Sequence, residues 1–189
     1  EAKARANAIL KDCKSRMEDV ITATKKTFAG VRTGRANPGL LDRIIVPYYG
    51  TPTPLNQMAS ISIPEPRLLV ITPWDKTSLK DIEKAILTSD LGLVPTNDGT
   101  VIRISIPPLT EERRKELVRL IRKDAEEMRV RIRNIRRELN DTIKKMEKNG
   151  DVSEDESHRI QDEVQKMTDK YIEEIDELLD AKEKEIMEV

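Results

Sequence analysis

The densest chemistry in this chain is cationic. RVRIRNIRR at residues 129–137 places five arginines in nine positions, with no acid among them. Arg122, Arg129, Arg133 and Arg136 follow at steps of 7, 4 and 3, so on a helix they share one face. Arg129 and Arg133 are a like-charge i,i+4 pair, which disfavours an isolated helix, so something outside that helix must compensate. Two compensations fit. A phosphate backbone would be gripped by the planar guanidinium fork. Alternatively, residues 151–189, with 15 acidic groups against 5 basic, could screen the arginines from within the fold. The charge pattern alone leaves both open.

Other reactive types are sparse. Cys13 and His158 each occur once. Cys13 falls on an apolar helical stripe and is expected to pack there, as free cysteines commonly do. His158 lies in an acidic first helical turn and is expected to be solvated. One cysteine excludes an intrachain disulfide and any multi-cysteine metal site, so a reducing compartment is the default. GRANPG at 34–39 lacks the Lys-Ser/Thr ending of a phosphate loop and opens no helix. The acidic run near the C-terminus lacks the glycine and ligand spacing of a calcium loop. No catalytic residue, metal or cofactor is therefore expected, and any nucleotide energy must come from a partner. The aromatic YYG at 48–50 and Trp74 sit in or beside predicted strands, where core and turn packing is the plainer reading than base stacking.

The elements that would carry the arginines can be read from periodicity. Ile9, Cys13, Met17, Val20, Thr24, Phe28 and Val31 form a helical stripe that should end near Arg32, where TGRANPG supplies two glycines and a proline. LLDRIIV, QMASISI and RLLVIT then read as β segments, separated by YYGTPTP and PEP. A short helix should carry Leu79, Ile82 and Ile86, capped by Thr77 or Ser78 and closed before Gly92, and TVIRISI is a further strand. Thr110 caps a second long helix with the seam Leu117, Ile121, Ala125, Met128, Ile132, Ile135, Leu139, Ile143 and Met146. Asn149 and Gly150 break it, and SEDE from Ser153 starts a third. Its stripe runs through Ile160, Val164, Met167, Tyr171, Ile175, Leu178, Lys182 and Ile186.

These elements predict an α+β chain. A long antiparallel, coiled-coil-like three-helix bundle, residues 1–33 and 110–189, carries an inserted small α/β domain, residues 34–109. Hinges are expected near 33–38 and 106–109, with Gly34, Pro38, Gly39, Pro107 and Pro108 setting their freedom. The net charge of −1 conceals local balances of +4 for residues 1–33, zero for 34–109, +5 for 110–150 and −10 for 151–189. The basic segments could hold a polyanion despite a sequence pI near 6.1. No run approaches the ~20 apolar residues that span a bilayer. No charged-then-apolar leader opens the chain, and the absent initiator Met is read as a processed mature form or a trimmed one, which leaves room for a removed organelle import leader.

Several segments together resemble the ribosome recycling factor family. They are VRTGRANP (31–38), YYGTPTPL (48–55), SDLGL (89–93), PPLTEERRKEL (107–117), VRIRNIRRELND (130–141), SEDE (153–156) and VQKMTDKY (164–171). The resemblance runs in order from about Ile9 to the C-terminus. It implies an L-shaped, monomeric, non-enzymatic translation factor of roughly tRNA dimensions. Such a factor binds between the subunits of the post-termination ribosome and splits them together with elongation factor G, which hydrolyses GTP. It also implies that Arg129, Arg133 and Arg136 contact large-subunit ribosomal RNA, and that Arg32 and Arg35 form a basic elbow. Pro47 departs from the polar or acidic residue expected before YYG. The expected setting is a plastid stroma, slightly favoured, or a bacterial cytoplasm. A coiled-coil adaptor without RNA contact and a general RNA chaperone are the competing classes.

Overall fold

The computed structural model describes residues 2–188. In chain order it contains α1 (Ala2–Ala29), β1 (Ile45–Tyr48), β2 (Thr51–Pro54), β3 (Ala59–Glu65), β4 (Leu68–Pro73), α2 (Leu79–Leu87), β5 (Pro95–Asn97), β6 (Ile102–Ser105), α3 (Glu111–Lys148) and α4 (Glu154–Met187). Short 3-10 turns lie at Pro38–Leu41, Leu55–Gln57 and Lys76–Ser78. The elements divide into two compact units, Glu1–Phe28 with Lys115–Lys184 and Ala29–Arg114 with Glu185–Val189.

The first unit is the three-helix bundle expected from the periodicity. Polar cross-ties define its directions. Arg16 meets Glu138 and Arg5 meets Asp151, so α1 and α3 run antiparallel. Arg122 meets Glu183 and Arg129 meets Asp176, so α3 and α4 do too. The apolar seam of α3 is buried from Leu117 to Ile143 as its spacing requires, while Met146 is only half-buried. At ~1.5 Å per residue, its 38 residues make a rod of about 57 Å. Thr110 Oγ1 accepts from the Arg113 N–H and Ser153 Oγ from the Glu156 N–H, so both expected N-caps form. Between these helices Gly150 takes φ +77°, with Gly150 N–H on Glu147 O and Asp151 N–H on Met146 O. This pair of bonds closes α3 in a Schellman turn, where a left-handed residue is best a glycine.

Two readings of the bundle need correction. α1 stops at Ala29, ahead of Arg32, because Gly30 already weakens the helix. In α4 the buried positions are Thr168 and Leu179, whereas Met167 and Leu178 are half-buried. A threonine can sit in the seam because its hydroxyl donates to Val164 O at 2.8 Å, leaving a methyl for packing. Thr24 does the same with Val20 O in α1. Lys182 is 7% exposed, the seam lysine anticipated from the stripe.

The second unit holds a two-stranded sheet, β1-β2, and a four-stranded antiparallel sheet of order β3-β4-β6-β5. Leu69 and Ile71 of β4 and Ile102 and Ile104 of β6 share a buried face, joined by Ile82 and Ile86 of α2 and by Leu41, Val46 and Leu55. Here the strand readings shift. TPTP, taken as turn, is β2, paired to β1 from Ile45↔Pro54 to Tyr48↔Thr51. The first half of LLDRIIV is not strand: a 3-10 turn at Pro38–Leu41, capped by Asn37 Oδ1, buries Leu41. Pro95–Asn97 is a strand with no counterpart in the sequence reading. Ser78 holds the N-cap position of α2, as expected, but makes no side-chain cap bond; the side-chain cap lies one turn earlier, where Asp75 Oδ1 accepts from Thr77 N–H.

Candidate nucleic-acid interface

α3 is one continuous helix through the arginine run, so the 3.6-residue repeat places the charged face beside the buried seam of Met128, Ile132 and Ile135. Along that face the arginines are not equivalent. Arg122 is clamped by Glu183 of α4 through Nε at 2.6 Å and Nη2 at 3.3 Å. Arg129, only 18% exposed, is held by Asp176 of α4 at 2.6 Å and by Glu126 of its own helix at 3.0 Å. Arg133 reaches only Glu126, at 3.0 Å. Hydrogen bonds from Arg133 and then Arg129 hold the Glu126 carboxyl below its ordinary range, so one ionised acid serves two arginines. Arg136 touches α4 through a neutral group, donating to Gln165 Oε1 at 3.3 Å.

The like-charge pair Arg129 and Arg133 is therefore compensated inside the fold, by Glu126 and Asp176. The compensation fades along the helix. From Arg131 to Arg137 no arginine is ion-paired to an acid of α4 among the described residues. Arg131 and Arg137, which lie off the chosen stripe, are exposed and belong to the same open stretch. Their density in RVRIRNIRR is the signal that marks them in the sequence.

Arg32 and Arg35 lie in the second unit. Arg32 is half-buried and its Nε has no hydrogen-bond partner. Arg35 is exposed and pairs with Glu188 at 2.6 Å. Thr33 is buried and its Oγ1 accepts from Arg35 N–H. Gly34 lies against the other chain crossing, since a Cβ there would come within 3.6 Å of Leu109 N. Pro38 and Gly39 sit inside the capped 3-10 turn, and Pro107 and Pro108 are exposed.

The remaining candidates fall into place simply. Cys13 is fully buried against Met17, and burial pushes its thiol up to about 11. His158 is exposed, with Glu154 at 3.8 Å. No group of three or more potential metal ligands occurs among the described residues, and no helix there is long and apolar enough to cross a membrane. The aromatic reading is corrected. Tyr48 is half-buried, but Tyr49 is 82% and Trp74 68% exposed, because strands β1 and β4 end there and carry both rings past the core.

The chain as a whole is similar to known proteins. A family model described as ribosome recycling factor matches residues 24–187. The ribosome-recycling factor of Bacillus velezensis is 58% identical over 184 residues, covering 97% of this chain and 100% of the relative. A solution structure of a ribosome recycling factor superposes with a TM-score of 0.79 at 48% identity, covering 97% of this chain and 98% of that one. A second match, at TM-score 0.68 and 50% identity, covers 97% and 99% of the two chains. It is the Thermus thermophilus factor in models of that protein and the E. coli elongation factor G bound to the E. coli post-termination complex.

Proposed function

The chain belongs to the ribosome recycling factor family, and from that premise we propose that it splits post-termination ribosomes together with elongation factor G and GTP, docking on large-subunit ribosomal RNA through α3. The observation that carries the RNA contact is the open cationic stretch from Arg131 to Arg137, which includes Arg133 and Arg136. Arginines there present guanidinium groups to solvent while their stems cover the bundle surface. At Arg133 a phosphate would displace Glu126 of the same helix, which keeps Arg129 as a partner, and at the other arginines of this stretch it would displace no acid of α4. Arg122 and Arg129 serve mainly to fasten α3 to α4, and Arg35 contributes once Glu188 is displaced. The second structural match supports the partners, since there a relative is bound with elongation factor G to a post-termination complex. The bacterial source of the relative supports a bacterial cytoplasm over a plastid stroma.

Isolated large ribosomal subunits test this reading. Binding should weaken steeply with salt and be absent with unrelated RNA of equal length. Equal binding to both would make the chain a general RNA chaperone, and salt-insensitive binding would point to an adaptor that recognises protein helices.

We further propose hinges near 33–38 and 106–109. The capped turn at Pro38–Leu41 buries Leu41 in the second unit, which supports motion at the residues before it. Labels at Asp98 and Asn149 should give a broad distance distribution in the free protein. A single narrow peak at several temperatures would sink the hinge.

A further inference from the structure

The β1-β2 hairpin turns on Tyr49-Gly50, both at positive φ, +49° and +78°. That two-residue geometry favours Asn, Asp or Gly at its first position, and a bulky residue held there carries backbone strain. The strained residue is also 82% exposed, so core packing does not explain it. Its hydroxyl is directed to Asp75 Oδ2 at 3.5 Å, beside that of Tyr48 at 2.9 Å, and the two rings meet edge to face with centroids 4.6 Å apart. Trp74, next to Asp75 in the chain, is 68% exposed. Bonds from the Thr77 hydroxyl and N–H, then from Tyr48, hold the Asp75 carboxyl below its ordinary range. All four of these donors are neutral, and Asp75 makes no ion pair among the described residues.

An ionised carboxylate without an ion-pair partner among the described residues, bonded by the exposed Tyr49 and next in the chain to the exposed Trp74, is suited to a cation. Ring faces attract ammonium and guanidinium groups, and Tyr and Trp are enriched among residues that dominate protein interfaces. A phosphate backbone would be repelled by Asp75, and residues 34–109 have no net charge to draw one in. We propose that Tyr49, Trp74 and Asp75 form a docking surface for a lysine or arginine side chain on a protein component of the recycling complex. This rests on the reading that the chain works on post-termination ribosomes with elongation factor G.

The test uses the full chain with p-benzoylphenylalanine replacing Tyr49, irradiated on post-termination ribosomes with elongation factor G. Alongside it, the affinities of Tyr49→Asn, Trp74→Ala and Asp75→Asn are compared with wild type on the same complex. The expected adduct is to a protein segment containing Lys or Arg. Tyr49→Asn and Trp74→Ala should each weaken binding roughly tenfold. Asp75→Asn should weaken it less, by a factor that shrinks as salt rises. Asn suits the left-handed turn, so Tyr49→Asn should melt at or above the wild-type temperature, which separates binding from folding. An RNA adduct would show a stacking surface and overturn the proposal, as would absence of an adduct or unchanged affinities. Wild type that fails to bind the complex would overturn both this surface and the recycling reading, whereas failure confined to the variants and the adduct overturns the surface alone.

Discussion

Replacing Arg133 and Arg136 together with Ala separates an RNA-binding role from a structural one. Arg133 bonds only Glu126, which keeps Arg129 as a partner at 3.0 Å, and Arg136 bonds only the neutral Gln165. Exposed pairs of this kind contribute about 0–1 kcal/mol each, so the double variant should lose about 1 kcal/mol. For a chain of this size that lowers the melting temperature by roughly 2–4 °C. Binding should respond more strongly. Removing one arginine–phosphate pair reduces the slope of log affinity against log salt by about 0.7–0.9, so removing two reduces it by roughly 1.4–1.8. Arg122→Ala is the internal control, because Glu183 already neutralises that guanidinium and the slope should stay where it was. The assay is a salt titration of binding to isolated large subunits, with thermal unfolding of each variant in parallel. A double variant that melts far below wild type yet keeps its slope would show that these arginines serve the bundle. A slope that moves with Arg122→Ala instead would place the RNA-binding face at the other end of α3.

The buried Cys13 thiol makes stability alkaline-sensitive. A raised folded pKa contributes stability that is complete below the ordinary value of 9.0 and is lost as pH climbs through about 11. That loss, of order 2–3 kcal/mol, should appear in urea unfolding at pH 8 to 11 and be missing from Cys13→Ala; parallel pH curves for the two proteins would refute it. Thr110→Ala and Ser153→Ala should each cost about 1 kcal/mol by removing an N-cap bond, read as a fall in melting temperature, and an unchanged midpoint would mean water replaces the cap. The purified chain should release no phosphate from GTP alone, since the sequence carries no phosphate-loop motif and no group of three or more potential metal ligands occurs among the described residues; turnover that co-purifies and vanishes in a point variant would contradict this.

Much of the bundle could be read directly from residue order. The α3 seam from Leu117 to Ile143, the caps Thr110 and Ser153, and the break at Gly150 are local effects, decided within one or two helical turns by periodicity and by hydrogen-bond donors left free at helix ends. Where the reading slipped, the deciding interaction was distant or concealed. Apolarity favoured Met167 over Thr168, yet a hydroxyl that satisfies itself on Val164 O leaves threonine small enough to bury. TPTP carries two prolines in four residues and resembles a turn, but pairing with β1 makes it a strand. Proline is tolerated there because β2 is an edge with only one partner strand.

The arginine face shows the same division. Five arginines in nine residues on one helix follow from the amino-acid order, as does the place of Arg129, Arg133 and Arg136 beside the seam. Which of them remain available was beyond its reach. Arg122 lies 61 residues from Glu183, and Arg129 lies 47 from Asp176. Those pairs exist only because α4 returns antiparallel along α3. On residue type Tyr49 and Trp74 are likewise expected to pack, yet they lie exposed because the strands end beyond the core. Residue order by itself determined the helices, their seams and the sign of the charge along each. Tertiary structure decided which charges stay unpaired and which aromatic rings face solvent, because ion pairing and burial depend on distances of a few ångströms between segments that only folding brings together.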